Sequence, residues 1–284
     1  MKKVFMTALA SLVVFAFIFT SCSSDDNDAV STTGKLKIQL TDAPFPTDLV
    51  AEANVSIDKI EIREKNEDNE GSPFITLSEE VQEFNLLDLT NGITASLVDL
   101  EIEVGSYDLI RLYVAEASIK LNDGTEFDLT IPSGAQTGIK VFIDPSIQVA
   151  GGLTTELLLD FDVSKSFVPQ GGNNSLEGIK GFHFKPVIKA SNLSTAGRLI
   201  GAVDDAESIA IDGAQVSIIA ADTVYTTTFT AEDGGYAVLG IEAGKYGVEF
   251  AKEGYQTVTV ESVEIVAGNA TTQDAELPAE EVEE

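Results

Sequence analysis

The sequence has one cysteine, one histidine and no tryptophan. A single cysteine excludes an internal disulfide, so the stability of the fold must come from burial of apolar side chains. Zinc sites that combine several cysteine and histidine ligands are excluded for the same reason. The sequence also lacks a glycine-rich phosphate loop and the nucleophile-elbow pattern G-x-S-x-G. The common signatures of nucleotide-binding proteins and serine hydrolases are therefore missing.

Basic residues are scarce as well. The chain contains 17 lysines and arginines against 47 aspartates and glutamates, a formal net charge of −30 at pH 7. Such a surface repels the phosphates of nucleic acids, so we expect no nucleic-acid partner. It also repels an anionic lipid surface. Divalent cations are the counter-charges that carboxylate oxygens attract best.

The only histidine is a poor candidate for a catalytic base. His183 lies between Phe182 and Phe184 in a stretch with strand-like alternation. In a strand the two phenylalanines face the core and His183 points to the opposite face. The pattern predicts a surface histidine, and we expect the protein not to be an enzyme.

What is present begins with an apolar leader. Lys2 and Lys3 precede residues 4–19, in which only Thr7 and Ser11 are polar. A helix of this length reaches about 24 Å, which is short of a bilayer core of about 30 Å. The pattern is typical of a secretory signal, and we predict that residues 1–21 are a cleaved signal peptide.

The leader ends at the lone cysteine. Residues 19–22 (FTSC) resemble the bacterial lipobox, which implies that Cys22 is acylated and becomes the first residue of the mature chain. Several acyl chains together anchor a protein to a membrane almost permanently. An ordinary signal peptide followed by an unpaired cysteine is the alternative. Acylation would also remove the only thiol that could act as a nucleophile.

An acidic run follows Cys22, within a predicted lipidated tether at residues 22–33. Ser24, Asp25, Asp26 and Asp28 resemble the export signal of Bacteroidetes-type lipoproteins, which implies a lipid-anchored position on the outer face of the outer membrane. The alternative is a plain solvated linker, because serine, aspartate and asparagine are common in tethers.

From Gly34 onward apolar and polar residues alternate with period two, as at residues 36–40 and 127–131. Sustained helical periodicity is rare; residues 86–97 could hold one short helix, and residues 122–124 (NDG) predict a tight hairpin. We predict an all-β fold of two antiparallel β-sandwich domains in tandem, at residues 34–191 and 197–277. Residues 278–284 would be an acidic tail.

A short pattern occurs once in each predicted domain. Residues 102–107 (IEVGSY) match residues 241–246 (IEAGKY). Glycine permits a tight turn, and the tyrosine that follows opens a strand with its ring packed inward. We interpret the pair as a shared structural corner of a sandwich.

The C-terminal part resembles the carboxypeptidase regulatory-like domain over nearly all of residues 197–277. The motifs that carry the resemblance are Gly201-x-Val203, IDGAQV (211–216), AEDGGY (231–236), GKY (244–246) and GY (254–255). The resemblance implies a transthyretin-like sandwich of the carbohydrate-binding-like superfamily, often a non-catalytic accessory module on bacterial surface proteins. It implies sugar binding only weakly, because the segment has no tryptophan to stack on a sugar.

Residues 34–190 resemble the domain of unknown function 4382, found in lipoproteins of the same bacterial group. The motifs are LTDAP (40–44), NLLDL (85–89) followed by Asn91-Gly92, GSY (105–107), LDFD (159–162) with Ser166, and KPVI (185–188). The resemblance implies a fold and a cellular location. It implies no particular biochemistry.

Asp160 and Asp162 are the candidate ligand pair. If both lie in one strand they share a face, with Cα atoms about 6.6 Å apart. Three interpretations remain open: a solvated strand face, a weak calcium site completed by loop oxygens, or the acid–base pair of a glycosidase. The last needs one carboxyl with a raised pKa, for which the neighbouring sequence offers no cause.

Together these patterns predict a non-enzymatic, surface-exposed outer-membrane lipoprotein that acts as a binding or accessory module, with carbohydrate as a candidate ligand. The alternative is a structural or assembly partner of an outer-membrane complex without a small ligand of its own. A glycan-active hydrolase is the third hypothesis. No cofactor is expected besides weakly bound calcium.

Overall fold

A computed structural model describes residues 31–42, 49–66, 73–131, 137–172 and 175–280. The predicted signal peptide, Cys22, the proposed export residues and the last four residues of the predicted tail lie outside these ranges. Within them, no helix has both the length and the apolar character needed to cross a membrane.

The first sandwich contains twelve strands among the described residues. They are β1 (Thr33–Thr41), β2 (Val50–Glu64), β3 (Phe74–Ser78), β4 (Gln82–Asn85), β5 (Ala95–Glu103), β6 (Gly105–Leu121), β7 (Glu126–Asp128), β8 (Ile139–Val149), β9 (Thr154–Phe161), β10 (Phe167–Gly171), β11 (Ile179–Phe184) and β12 (Ile188–Asn192). Among the described residues, short helical turns interrupt them at Leu86–Leu89, Val163–Ser166 and Leu176–Gly178.

These strands form two main sheets and a hairpin. One sheet has the order β12-β9-β1-β5; the other has the order β3-β2-β6-β7, with β4 also paired to β2 and β8 also paired to β6. Strands β10 and β11 pair with each other. The all-β prediction is confirmed. Strands β1 and β9 run parallel, however, so the first sheet is mixed rather than purely antiparallel.

The core of the first sandwich lies between its two sheets. Along β1, Leu36, Ile38 and Leu40 are fully buried and alternate with partly exposed polar residues. This is the pattern expected of a strand with one face on a core. Phe161 and Phe184 stack near the end of β9 at a centroid distance of 6.2 Å.

The second sandwich contains eight strands. They are β13 (Ala196–Asp205), β14 (Gln215–Ala220), β15 (Thr223–Phe229), β16 (Gly235–Glu242), β17 (Gly244–Ala251), β18 (Val258–Ile265), β19 (Ala270–Thr272) and β20 (Ala275–Leu277). One sheet has the order β16-β13-β19 with β20 also paired to β13, and the other has the order β15-β14-β17-β18. Both β19 and β20 pair with β13 in parallel, so this sandwich is mixed too.

Of the two local predictions, the hairpin is confirmed and the helix is shorter than predicted. The predicted hairpin is present, with Gly124 at φ 86° and Leu121 donating its N–H to the carbonyl of Thr125. The predicted short helix is reduced to the single 3₁₀ turn Leu86–Leu89, because the chain enters β5 at Ala95.

The repeated corner is confirmed. The hydroxyl of Tyr107 donates to the carbonyl of Glu103 at 2.9 Å, and that of Tyr246 donates to the carbonyl of Glu242 at 2.9 Å. Each ring also lies beside the glycine two positions earlier in the chain. The two sandwiches therefore use the same tyrosine to fasten the same turn.

Each sandwich has its own cluster of buried apolar residues, one within residues 36–184 and one within residues 199–277. The last strand of the first, β12, ends at Asn192, and β13 begins at Ala196. The described residues from Ser31 onward nevertheless belong to one compact unit.

Candidate functional site

Polar residues from several of the quoted motifs meet at one end of the first sandwich. The hydroxyl of Thr41, at the end of β1, lies 2.9 Å from the carbonyl oxygen of Leu89 and 3.0 Å from that of Ile93. It thereby ties β1 to the loop after the 3₁₀ turn. Motifs that are about 50 positions apart in the sequence are held together by one side chain.

Asp42 fastens a second pair of segments at this end. Its side chain is almost fully buried, and its Oδ1 accepts a hydrogen bond from the backbone N–H of Val163 at 3.0 Å. Nearby, the Ser166 hydroxyl oxygen accepts from the N–H of Val187 at 2.9 Å. Buried carboxylate and hydroxyl groups in these positions satisfy backbone groups that no strand partner reaches.

The prediction that Asp160 and Asp162 share a strand face is wrong for Asp162. Strand β9 ends at Phe161, and Asp162 is the N-cap of the turn Val163–Ser166. Its carboxylate accepts from the Ser164 hydroxyl at 2.6 Å and from the N–H of Lys165 at 3.0 Å. An N-cap aspartate satisfies an N–H group that the helix itself leaves unpaired.

The negative charge of Asp162 is neutralised by a neighbouring lysine. Its Oδ2 lies 2.6 Å from Nζ of Lys165. Burial acts to raise the pKa of Asp162, but the hydrogen bonds from Lys165 and Ser164 outweigh burial and lower it. A glycosidase acid needs the opposite shift. Calcium binding by this pair stays a prediction; the described parts of the chain contain no group of three or more His, Cys, Asp or Glu arranged to hold a metal.

Asp160 belongs to the junction between the two sandwiches. It lies in β9, paired in register with Thr41 of β1 and with Lys189 of β12. Lys189 reaches into the second sandwich, where its Nζ donates to the carbonyl of Tyr225 at 3.0 Å and lies 4.7 Å from the ring centroid. Burial raises the pKa of Tyr225 to about 12, and the negative charges of Glu242 and Asp160 add to the shift.

Asn91 makes the second contact between the sandwiches. Its Oδ1 accepts from the backbone N–H of Ala237 at 2.6 Å, and its Nδ2 donates to the carbonyl of Gly235 at 3.4 Å. The side-chain amide thus binds β16 as an additional strand residue would. A Cβ on the neighbouring Gly92 would lie 2.9 Å from the Cβ of Ala237, so only glycine allows this approach.

A small cavity of about 20 Å³ lies at this junction. Asp42 and Asp160 line it from the first sandwich, and Thr228 of β15 lines it from the second. The volume is about that needed for one water molecule or one ion. All three lining side chains named here carry oxygen atoms, which hard cations prefer.

A groove of about 640 Å³ crosses β4, β2, β6 and β7. Asn54, Ser56 and Ser118 line it. Val55 and Ala117 are buried in the core, so Asn54 and Ser118, which alternate with them, lie on the opposite face of the sheet. Four carboxylates and no lysine or arginine are among the described residues that line the groove: Glu83, Glu116, Glu126 and Asp128.

The sequence pattern does not reveal this groove. Its lining residues come from four strands, spread from Asn54 to Leu129, and no two of the strands form a recognisable motif. The apolar pattern along β2 and β6 does not indicate which strands are neighbours. His183 is exposed while Phe182 and Phe184 are buried, so the prediction of a surface histidine is confirmed.

Comparison with protein-family models identifies the first sandwich. A model described as "Domain of unknown function (DUF4382)" matches residues 33–186, more than half of the chain. The chain belongs to the DUF4382 family. In this DUF4382 protein a second model, "Carboxypeptidase regulatory-like domain", matches residues 198–278. Both resemblances seen in the sequence are thereby confirmed in the same order along the chain.

Comparison with curated proteins finds no match. Among solved structures, the shaft pilin SpaA from Lactobacillus rhamnosus GG is 10% identical at a TM-score of 0.28, covering 89% of this chain and 100% of that one. A C-terminal fragment of the pilus adhesin SpaC from the same organism is 9% identical at a TM-score of 0.26, covering 88% and 100%.

The Bacillus anthracis TIE protein is 15% identical at a TM-score of 0.26, covering 87% of this chain. The chain spans 34% of the length of that protein. Similarity at these TM-scores supports no inference of function for the DUF4382 protein.

Proposed function

We propose that this DUF4382 protein is a non-enzymatic binding or accessory module on the outer surface of the outer membrane. The observation that carries the proposal is the use of the motif side chains. Thr41, Asp42, Asn91 and Asp162 are engaged in hydrogen bonds that hold loops and join the two sandwiches. Polar groups committed in this way support a structural role for the motifs rather than catalysis.

The groove on the first sandwich is the proposed binding surface. Its volume of about 640 Å³ lies within the usual range of small-molecule sites. Amide, hydroxyl and carboxylate groups can bind the hydroxyls of a carbohydrate. Phe84 is its only aromatic residue among those described, so the sugar would be held mainly by hydrogen bonds.

A glycan array probed with soluble residues 23–284 tests this role. Wild type should give reproducible binding, and Glu116→Ala/Asp128→Ala should reduce it at least about tenfold. The matched control is Glu261→Ala/Glu264→Ala, which removes two exposed acids of β18 outside the groove. Equal binding by both double variants would contradict a role for the groove.

The proposed location depends on Cys22 and the acids that follow it. Cys22→Ala should abolish labelling with a palmitate analogue and release the protein from the membrane fraction. Replacing Asp25, Asp26 and Asp28 with alanine should keep the lipid but remove the protein from the reach of protease added to intact cells. Retained labelling in the first variant, or unchanged cleavage in the second, would contradict the corresponding assignment.

A structural or assembly role without a small ligand is the second candidate function. The fixed junction between the sandwiches favours it, because a partner that contacts both sandwiches would meet a preformed surface. An empty glycan array together with recovery of a defined membrane complex by cross-linking would support this alternative.

A further inference from the structure

We propose that the cavity between the two sandwiches binds a single hard cation, with Asp42 and Asp160 of the first sandwich and Thr228 of the second as ligands. This site differs from the Asp160–Asp162 pair considered from the sequence. Asp162 is already engaged with Lys165 and Ser164. Asp42 takes its place because it lines the same cavity as Asp160.

Thr228 is the observation that points to a ligand. Its side chain is 2% exposed, and its Oγ1 has no hydrogen-bond partner among the described residues. A buried hydroxyl without a partner is unfavourable, because it gives up its bonds to water and gains none in return. Since Thr228 lines the cavity, an occupant of the cavity can supply the missing contact.

The charge at the cavity favours a cation as that occupant. The carboxylates of Asp160 in β9 and of Asp42 just after β1 both line it. The two strands pair in parallel, with Thr41 opposite Asp160. Lys189 lies opposite Asp160 in β12, and its ammonium group donates to the carbonyl of Tyr225. The negative charge of Asp160 also reaches the Tyr225 phenol, whose pKa it helps to raise.

Size and ligand chemistry suit calcium. The cavity of about 20 Å³ accommodates one ion or one water molecule. Calcium takes six to eight oxygen ligands, so backbone carbonyls or water must complete the set, and sites in extracellular modules bind at about 10⁻⁴ to 10⁻³ M. Because the ligands come from both sandwiches, a bound ion would hold them together. An ordered water is the competing occupant.

Terbium luminescence tests the site in soluble residues 23–284. Tb³⁺ is a calcium analogue whose emission is sensitised by a nearby tyrosine, and Tyr225 is close enough to Asp160 for the charge of Asp160 to act on its phenol. Wild type should show tyrosine-sensitised emission that millimolar Ca²⁺ displaces. Asp160→Asn should weaken binding at least about tenfold, Tyr225→Phe should reduce the emission, and Asp162→Asn should leave both properties close to wild type.

Thermal melting in CaCl₂ against NaCl of matched ionic strength gives a second measurement. The calcium-dependent rise in melting temperature should be present in wild type and in Asp162→Asn, and should be lost in Asp160→Asn and Thr228→Val. Comparing the rise, rather than the melting temperature itself, corrects for variants that are less stable. No calcium-dependent rise and no displaceable emission in wild type would overturn the proposal and leave water as the occupant. Loss of the signal only in Asp162→Asn would also overturn it.

Discussion

At the scale of the residue, two tyrosines show how one side chain fixes a turn. Tyr107 and Tyr246 are both buried, and each donates its hydroxyl to the carbonyl four residues earlier. The glycine two positions before each ring leaves space for the ring edge, since it has no side chain. The repeated sequence was sufficient to predict this corner, because all of its parts lie within six residues.

Removing either tyrosine hydroxyl should therefore lower the free energy of unfolding by the same amount. Tyr107→Phe and Tyr246→Phe keep the buried ring and lose one hydrogen bond, so each should lower the free energy of unfolding by about 1 kcal/mol. Urea denaturation of the two single variants and the double variant measures this. The two losses should add, because the corners lie in separate cores. A loss confined to one variant would show that the corners are not equivalent.

The buried phenols also predict how stability depends on alkaline pH. Burial raises the pKa of Tyr225 from 10.0 to about 12 and raises the pKa of Tyr246 above its ordinary value. The unfolded chain loses these protons at lower pH than the folded chain does. The stabilisation is therefore complete below pH 10 and is lost as the pH rises towards 12. Tyr225→Phe should lose less stability than wild type over that range in urea denaturation, and identical pH profiles would contradict the assignment.

At the scale of the element, the length of a strand decided whether it could be predicted. β1 has nine residues and buries Leu36, Ile38 and Leu40 in alternation, and this alternation was visible in the sequence. β19 and β20 have three residues each, too few to show a period. Their parallel pairing with β13 was also missed, because alternation carries no information about which strands are neighbours.

The contacts between the two sandwiches could not be predicted from the sequence for a related reason. Asn91 and Gly92 were recognised as part of a motif, but the partner of Asn91 is Ala237, 146 positions away. A motif identifies which residues matter locally and leaves their distant partners undetermined. The prediction that Asp160 and Asp162 share a strand face was wrong because β9 ends at Phe161, before Asp162.

Asn91→Gly tests the junction directly. Asn91 has a φ of 55°, which glycine adopts without strain, so the variant removes the side chain and retains the turn. Loss of the two hydrogen bonds to β16 should reduce stability by about 1–2 kcal/mol and increase proteolysis of the connection between β12 and β13. The control is Ser208→Gly, an exposed residue with a φ of 60° in a turn of the second sandwich. Equal proteolysis of both variants would contradict a clamping role for Asn91.

At the scale of the whole molecule, the excess of acids sets the response to salt. Basic partners neutralise some carboxylates, such as Asp108 beside Arg63 at 2.9 Å, but 47 acids face only 17 lysines and arginines. The remaining like charges repel each other in the folded state more than in the expanded unfolded chain. Salt reduces this repulsion, since the screening length falls from about 30 Å at 0.01 M to about 8 Å at 0.15 M.

The melting temperature at pH 7.4 should therefore rise with NaCl concentration, most steeply below about 0.15 M. At pH 4 much of the dependence should disappear, because aspartate and glutamate have ordinary pKa values near 3.9 and 4.3 and about half of the carboxylates are then protonated. Asp162 and Glu61 have lowered pKa values and stay charged at lower pH than the other carboxylates. Both already have a lysine partner, so they add little to the repulsion. Thermal melting over a matrix of salt and pH measures both slopes, and KCl in place of NaCl controls for specific ion binding. A slope at pH 4 as steep as the slope at pH 7.4 would show that the salt effect has a cause other than the net charge.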